Sequence, residues 1–245
     1  MSHRFYLPSL SASRNPPAAE GEVEHILLTG DQAHHAISVM RFRVGDQLVL
    51  FDGKGLEAKC ELVSTEKKSI RCRPVDFIVR EPALPGTITL AVALPKNERQ
   101  KFLIEKLVET GVHQLIPLTS QRGVAAINDK VRQRLHRQII EATKQCERAW
   151  LMEVGPSQTL DELASQASSS RKYIADPYQG ESLCMAEITS EKPVVVAVGP
   201  EGGFTDEELA LAIELGFQPV RMGPTVLRVE TAAIAAAILL GIGRH

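Results

Sequence analysis

Two short stretches near the end of the chain carry the residue types and spacing that could do chemistry. Gly199-Pro-Glu-Gly-Gly203 follows the continuous apolar run 194–198 and precedes Thr205, with Glu208 three residues further on. Such an apolar run is a strand covered on both faces of a parallel sheet. The glycines let the backbone turn sharply and approach a ligand closely. Thr205 and Glu208 form a capping box that opens a helix, with Leu209, Ala212 and Ile213 on its apolar face and Gly216 as its stop. A strand, a glycine loop and a helix N-terminus together make a place for a cofactor at the carboxyl end of a strand. The second stretch, Met222-Gly-Pro-Thr-Val-Leu-Arg-Val-Glu-Thr231, follows a short strand over 219–222 and precedes an almost wholly apolar helix over 232–242. Arg228 and Glu230, charged and next to so apolar a helix, are costly there without partners or a task.

The elements that must position these loops are legible as alternation. Beyond residue 86 the pattern predicts strands over 88–94, 112–118, 151–154 and 172–175, and helices over 96–110, 129–149 and 160–166. Repeated βα units imply an α/β domain with a mostly parallel sheet and helices on both faces. The ligand crevice then lies at the strand carboxyl ends, near Leu94-Pro95, Leu118-Thr119, Asp176, Gly199 and Met222. Residues 1–75 read differently. Short runs of β-type residues recur over 4–7, 25–28, 47–51, 56–63 and 69–75, with Asp52-Gly53-Lys54-Gly55 as a hairpin signal. One helix is expected over 31–40, with Asp31 as its N-cap. Many short strands in so few residues predict a small β-barrel. The proline- and glycine-bearing stretch that follows, with a linker over 76–86, separates this barrel domain from a second domain over 87–245.

Composition bounds the function classes. Hydrophobic content of 44% and charged content of 24% describe an ordinary globular protein. No stretch is long and apolar enough for a transmembrane helix, and no signal pattern opens the chain, so a cytoplasmic protein without membrane contact is expected. Cys60, Cys72, Cys146 and Cys184 show no paired metal-ligand spacing and are expected to be reduced. The adjacent His34 and His35 cannot share one helix face, so no metal site is expected. The glycine loop is not G-x-G-x-x-G, and there is no P-loop and no G-x-S-x-G elbow, which argues against NAD binding, P-loop phosphoryl transfer and serine hydrolysis. The net charge of −2 hides an asymmetry: residues 96–150 carry 11 Lys+Arg against 6 Asp+Glu, while residues 151–245 carry 6 against 13. The basic block is the better footprint for a polyanion. Candidate RNA contacts are Arg4 beside Phe5 and Tyr6, Arg41 and Arg43 after the first helix, and Lys96, Lys101 and Arg122 in the basic block. Arg4's aromatic neighbours have a second reading as core residues, and Arg41 one as a helix C-terminal cation.

Gly199–Gly203 together with Met222–Thr231 resembles the SPOUT class of S-adenosylmethionine-dependent RNA methyltransferases. Within it the two loops look like the family that methylates uridine N3 in small-subunit (16S) ribosomal RNA. Residues 34–55 resemble the N-terminal barrel of the same family, likened to PUA-type RNA-binding domains. The resemblance implies a deep trefoil knot, a homodimer with the active site at its interface, and ribosomal RNA or the small subunit as partner. It implies that Val198, Gly199, Pro200, Glu201, Gly202 and Gly203, with Met222, Gly223, Leu227, Arg228 and Thr231, wrap S-adenosylmethionine, joined by Asp176 at a neighbouring strand end as a further cofactor-binding residue. For N3 chemistry, Arg228 is the candidate cation for the developing anion and Glu230 the candidate base. Pairing of the two with each other, or a role in tying down the loop, stands beside that for Glu230. The apolar helix 232–242 is the expected dimer contact, with a charge at Ala236 as its probe. Val229 departs from the family, which often carries Thr there. The rival reading is a non-catalytic RNA-binding or ribosome-assembly module, which needs the basic block but no cofactor.

Overall fold

A computed structural model describes residues 3–14, 25–66, 68–82, 84, 86–123, 127–183 and 192–242. Cys184 lies outside them. The chain packs as two units, Met1–Pro82 with Thr143–Leu151, and Ala83–Ala142 with Met152–His245. No helix of the described residues is long and apolar enough to cross a membrane.

In the first unit, β1 (Arg4–Tyr6), β2 (Ile26–Thr29), β3 (Gln47–Phe51), β4 (Leu56–Glu66) and β5 (Ser69–Val79) form one sheet in the order β1-β3-β4-β5-β2. β1 joins β3 in parallel and the other pairs are antiparallel. Alternate residues of the strands turn Phe5, Leu28, Leu50, Leu62 and Ile70 onto a common core. The β3–β4 turn is held by Asp52, whose Oδ1 accepts from the amides of Lys54 and Leu56 at 2.7 and 3.0 Å. β5 runs through Pro74 into residues expected as linker. The ladder tolerates that proline because its register against β4 shifts at Lys59/Cys60, where Pro74 stands opposite Cys60. The expected helix over 31–40 is shorter: α1 (Gly30–His34) starts from Thr29 without a side-chain cap, so Asp31 is not its N-cap. It passes into a π-helical turn in which the Met40 amide donates to the His35 carbonyl, and Arg41 follows at φ 56°.

Arg4 is corrected here as an RNA contact. It is 7% exposed, pairs with buried Glu57, donates to the Arg148 carbonyl at 2.9 Å and lies 5.0 Å from the centre of the Phe51 ring. Phe5 is fully buried, edge-on to Phe42, so it is core rather than a stacking platform, while Tyr6 is half-buried. Removing one member of a buried pair leaves an uncompensated charge. Arg4→Met is therefore expected to destabilise this unit by about 3 kcal/mol, read as a lower urea midpoint. An unchanged midpoint combined with weakened RNA binding would restore the surface role.

The second unit is a seven-stranded, all-parallel sheet. Its strands are β6 (Ile88–Val92), β7 (Gln114–Pro117), β8 (Glu153–Val154), β9 (Arg171–Ala175), β10 (Glu181–Ser182), β11 (Val194–Val198) and β12 (Gln218–Arg221), ordered β10-β12-β9-β11-β6-β7-β8. β6 and β11 pair residue for residue and are buried along their whole length, as sheet centres covered on both faces must be. The helices are α2 (Asn97–Glu109), α3 (Asp129–Gln145), α4 (Leu160–Gln166), α5 (Asp206–Glu214) and α6 (Val229–Ile242). α4 and α5 cover one face through Leu160, Leu163 and Ala212 against Ala91 and Ala197. α6 packs against β6 and β11, and α2 packs against α6. Ile213, expected on the apolar face of α5, is 53% exposed. α3 stops at Gln145, short of the expected residue 149, where Glu147 takes a left-handed φ of 58°, and residues 143–151 pack with the first unit. There the Trp150 indole donates to the Arg80 carbonyl at 2.8 Å. α6 starts three residues earlier than expected, which puts Glu230 inside its first turn. Ala236, expected at a dimer contact, is fully buried within the protomer.

Candidate active site

Three neighbouring strands, β12, β9 and β11, end at one edge of the second unit's sheet, and the loops leaving them enclose a cavity of about 400 Å³. From β11 the chain enters the turn Gly199–Gly203, closed by the Gly203 amide donating to the Pro200 carbonyl at 2.8 Å. Gly203 has φ +68°, a conformation that L side chains rarely adopt. A Cβ at Gly199 would lie 3.0 Å from the ring of Phe204, which is buried beneath the turn.

The expected capping box is formed at the start of α5. The Thr205 amide donates to Glu208 Oε2 at 2.9 Å and the Glu208 amide donates to Thr205 Oγ1 at 3.2 Å. Glu208 does more: its Oε1 accepts from the Gln121 amide at 2.8 Å, which ties the loop after β7 to this helix N-terminus. Beside it, Arg122 Nη1 donates to the Gly202 carbonyl at 2.8 Å. Arg122, expected as an RNA contact, thus braces the glycine turn and lines the cavity. The Glu207 carboxyl is held below the usual range by a backbone hydrogen bond, by the Thr205 side chain and by the Arg122 charge.

Asp176, at the end of β9, is 4% exposed; its Oδ1 accepts from the Tyr178 amide at 2.9 Å and its side chain faces the cavity edge with Pro177 and Tyr178. Of the residues expected to wrap a cofactor, Asp176, Val198, Gly199, Pro200, Glu201, Gly202, Gly203, Met222 and Leu227 line this cavity. Gly223, Arg228 and Thr231 do not. Gly223 packs near Leu227, and Thr231 is exposed on α6. Arg228 stands at the head of α6, where its carbonyl accepts from the Ala232 amide at 2.8 Å. Its side chain is exposed and, among the described residues, has no ion pair or hydrogen bond. Leu227 and Val229, the residues on either side of it, both line the cavity.

Glu230 does not pair with Arg228. It is 6% exposed, and its Oε2, which has no hydrogen-bond partner, lies 3.8 Å from Arg99 Nη1. The same Arg99 nitrogen is 2.8 Å from Glu201 Oε1 in the glycine turn. Arg99, on the first turns of α2, therefore links the glycine turn to the head of α6, and no spacing rule in the sequence points to it. Phe204 and the Gln121–Arg122 segment are likewise recognisable only in three dimensions. Of the remaining RNA candidates, Arg41 and Arg43 are exposed in the first unit, and Lys101 is exposed 3.9 Å from Glu105. Lys96, with Leu94-Pro95 and Leu118-Thr119, borders a different cavity at the ends of β6 and β7, so the single expected crevice is two.

The cavity combines an apolar wall, a turn with peptide groups at its rim, and a buried carboxylate at one end. Its volume falls in the range of about 300–1,000 Å³ used by small-molecule and cofactor sites. Comparison with known proteins agrees with that architecture. Residues 82–241 match the RNA methyltransferase domain, and residues 28–75 match the RNA methyltransferase PUA domain. A Bacillus subtilis protein named ribosomal RNA small subunit methyltransferase E is 31% identical over 221 residues, 85% of this chain and 86% of that one. The Mycobacterium tuberculosis protein of the same name is 31% identical over 225 residues, covering 88% and 86%. Among solved structures, ribosomal RNA small subunit methyltransferase E from Neisseria gonorrhoeae, bound to S-adenosyl methionine, superposes with a TM-score of 0.82 at 29% identity, over 97% of this chain and 95% of that one. A Legionella pneumophila structure in complex with bound SAM gives a TM-score of 0.85 at 30% identity, over 98% and 97%.

Proposed function

The chain belongs to the RNA methyltransferase family whose domain spans residues 82–241, and on that premise we propose that it transfers the methyl group of S-adenosylmethionine to N3 of a uridine in 16S ribosomal RNA. The observation that carries the reading is the 400 Å³ cavity at the carboxyl ends of β9, β11 and β12, walled by the glycine turn. The residues fit that cofactor. The turn 199–203 presents backbone groups to a nucleoside-sized space, Val220, Leu227 and Val229 offer apolar surface to a base, and buried Asp176 offers a carboxylate acceptor. Val229 at the position where the family often has Thr adds apolar wall rather than a hydroxyl.

The bound cofactor supplies an electrophilic methyl group. What remains for the chain is to make N3 nucleophilic, because uridine holds a proton there at neutral pH. Each pKa unit above ambient pH adds about 1.4 kcal/mol to the barrier. Arg228, a cation with no competing partner among the described residues, is assigned to stabilise the developing anion. Glu230 is assigned the tie-down role of the two open to it, since it is buried against Arg99, and Arg99 is bonded to Glu201 of the glycine turn. A solvent base then takes the N3 proton. Arg41 and Arg43 on the PUA-like unit and Lys96 and Lys101 on the second unit are assigned to the RNA backbone.

The same reading includes the trefoil knot of the SPOUT class, a cytoplasmic location beside the ribosome, and a homodimer built on α6. Ala236 is interior, so the outward face of α6 is carried by Ile238, 42% exposed, with Phe102 of α2 at 49%. Ile238→Glu is expected to give a folded monomer where the wild type is a dimer by light scattering at micromolar concentration, since an ion desolvated in an apolar contact costs several kcal/mol. A monomeric wild type would remove the dimer from the reading.

The function is tested by mass spectrometry of 16S ribosomal RNA from cells lacking the protein. One N3-methylated uridine is expected to disappear and to return with the wild-type chain but not with Arg228→Ala. Loss of a different methyl mark would replace the target. An unchanged set of marks would favour the ribosome-assembly role.

A further inference from the structure

We infer that the cavity at the carboxyl ends of β6 and β7 is a second subsite, one that takes a phosphate-bearing nucleotide of the RNA strand. The inference rests on the methyltransferase reading for the identity of the RNA. The cavity measures about 240 Å³, below the range of about 300–1,000 Å³ typical of drug-sized ligands, which suits one nucleotide better than a second cofactor. Its polar border is Lys96, Asn97, Thr119, Asn128, Arg134 and Ser157, over a floor that includes Leu94, Leu118 and Val131. Among the described residues, two full positive charges border it and no carboxylate does.

One of those charges is held in place. Arg134 Nη2 donates to Gln100 Oε1 at 2.6 Å, and Gln100, 6% exposed, donates through Nε2 to the Pro95 carbonyl at 3.1 Å. A buried amide thus fixes a guanidinium at the wall before any ligand arrives, which lowers the ordering cost of binding. Lys96, ahead of α2 where Arg134 is on α3, is exposed and supplies a point charge on a flexible stem. It stands at the N-cap of α2 without a side-chain cap, so the first amides of that thirteen-residue helix also have no side-chain acceptor. In α4 and α5 the equivalent amides are taken by capping boxes.

The position of the subsite joins it to the methyl-transfer cavity. On the first turns of α2, Lys96, Asn97 and Gln100 serve the second cavity, while Arg99 reaches Glu201 of the first. A nucleotide seated on Lys96 and Arg134 therefore lies along the strand from the base that is modified. The side chains of Asn97 and Thr119 are left to contact ribose or base, while Asn128 Oδ1 accepts from the Val131 amide at 3.0 Å and Ser157 Oγ from the Ile127 amide at 3.2 Å.

The test titrates the full-length wild type, Lys96→Ala and Lys96→Ala/Arg134→Ala with a labelled uridine-containing single-stranded RNA at several salt concentrations, with S-adenosylmethionine affinity measured by calorimetry in parallel. The slope of log affinity against log salt should fall by about 0.7 for each cation removed. The double variant should lose about tenfold or more in RNA affinity at low salt while its cofactor affinity stays at the wild-type value. Among the described residues the exposed Lys96 side chain makes no hydrogen bond or ion pair, so its variant is expected to fold and decides the matter alone if the double variant does not. An unchanged slope for Lys96→Ala overturns the subsite. Competition by inorganic phosphate or uridine monophosphate as effective as that of the RNA overturns its assignment to an RNA strand in favour of a free anion. A wild type that binds RNA with the expected slopes but neither binds S-adenosylmethionine nor methylates would instead overturn the methyltransferase reading and leave the subsite standing.

Discussion

Arg228→Ala is expected to keep S-adenosylmethionine affinity and to lose about 10²–10³-fold in kcat, the usual effect of removing one group that stabilises charge developing in a transition state. Cofactor binding survives because the Arg228 side chain does not border the cofactor cavity and has no partner among the described residues. The pH profile carries the mechanistic content. Without the cation the N3 proton is harder to remove, so less of the reactive anion exists at neutral pH. Its fraction then grows as pH rises, by about tenfold per pH unit below the N3 pKa. The variant should therefore regain part of the lost rate on the alkaline side, while the wild type changes less. A variant that loses cofactor binding, or whose residual rate is flat with pH, would make Arg228 structural. Glu230→Gln separates the remaining roles. A tie-down role predicts weaker cofactor binding, because Arg99 loses one of the two carboxylates that hold it. A base would show as a kcat loss at unchanged cofactor affinity.

Gly203→Val is expected to weaken S-adenosylmethionine binding by about 10- to 100-fold in a protein that still folds. Gly203 sits at φ +68°. A non-glycine residue held in the left-handed region costs about 1–3 kcal/mol, more for a β-branched one, and each 1.4 kcal/mol is about tenfold in affinity. The strain is relieved when the turn opens, and opening withdraws the peptide groups from the cavity. Gly202→Val acts by a different route, since its Cβ would meet the Arg122 Cδ at 3.3 Å and push that side chain off the Gly202 carbonyl. Calorimetry with each variant distinguishes the two. Wild-type affinity in folded Gly203→Val would place the cofactor away from the turn.

What was legible in the sequence depended on local interactions. The apolar run 194–198, the glycine turn and the Thr205–Glu208 capping box appear in the structure as read, because a strand covered on both faces, a tight turn and a helix cap are each decided within a few residues of chain. The succession of strands and helices over 88–242 is local in the same sense. The expected linker over 76–86 begins too early for a nearby reason: β5 continues to Val79, its Pro74 falling where β4 and β5 slip by a residue, and that slip belongs to the pairing, not to either strand alone. Arg4 misled for a further one, since the charge of a residue says nothing about whether a distant chain segment covers it.

The sequence by itself determined the class of the domain, the position of the glycine turn and the presence of a second loop that faces the same space. Only the tertiary structure decided that Arg99 lies between Glu201 and Glu230, that residues 143–151 return to the first unit, that Ala236 faces inward and that the strand ends form two cavities instead of one. The reason is physical. Helix periods, caps and turns arise from interactions between near neighbours and leave a spacing that can be read. An ion pair across 102 or 131 residues leaves none, because its geometry exists only after the sheet has set the order β10-β12-β9-β11-β6-β7-β8 and brought the heads of α2 and α6 to the same edge.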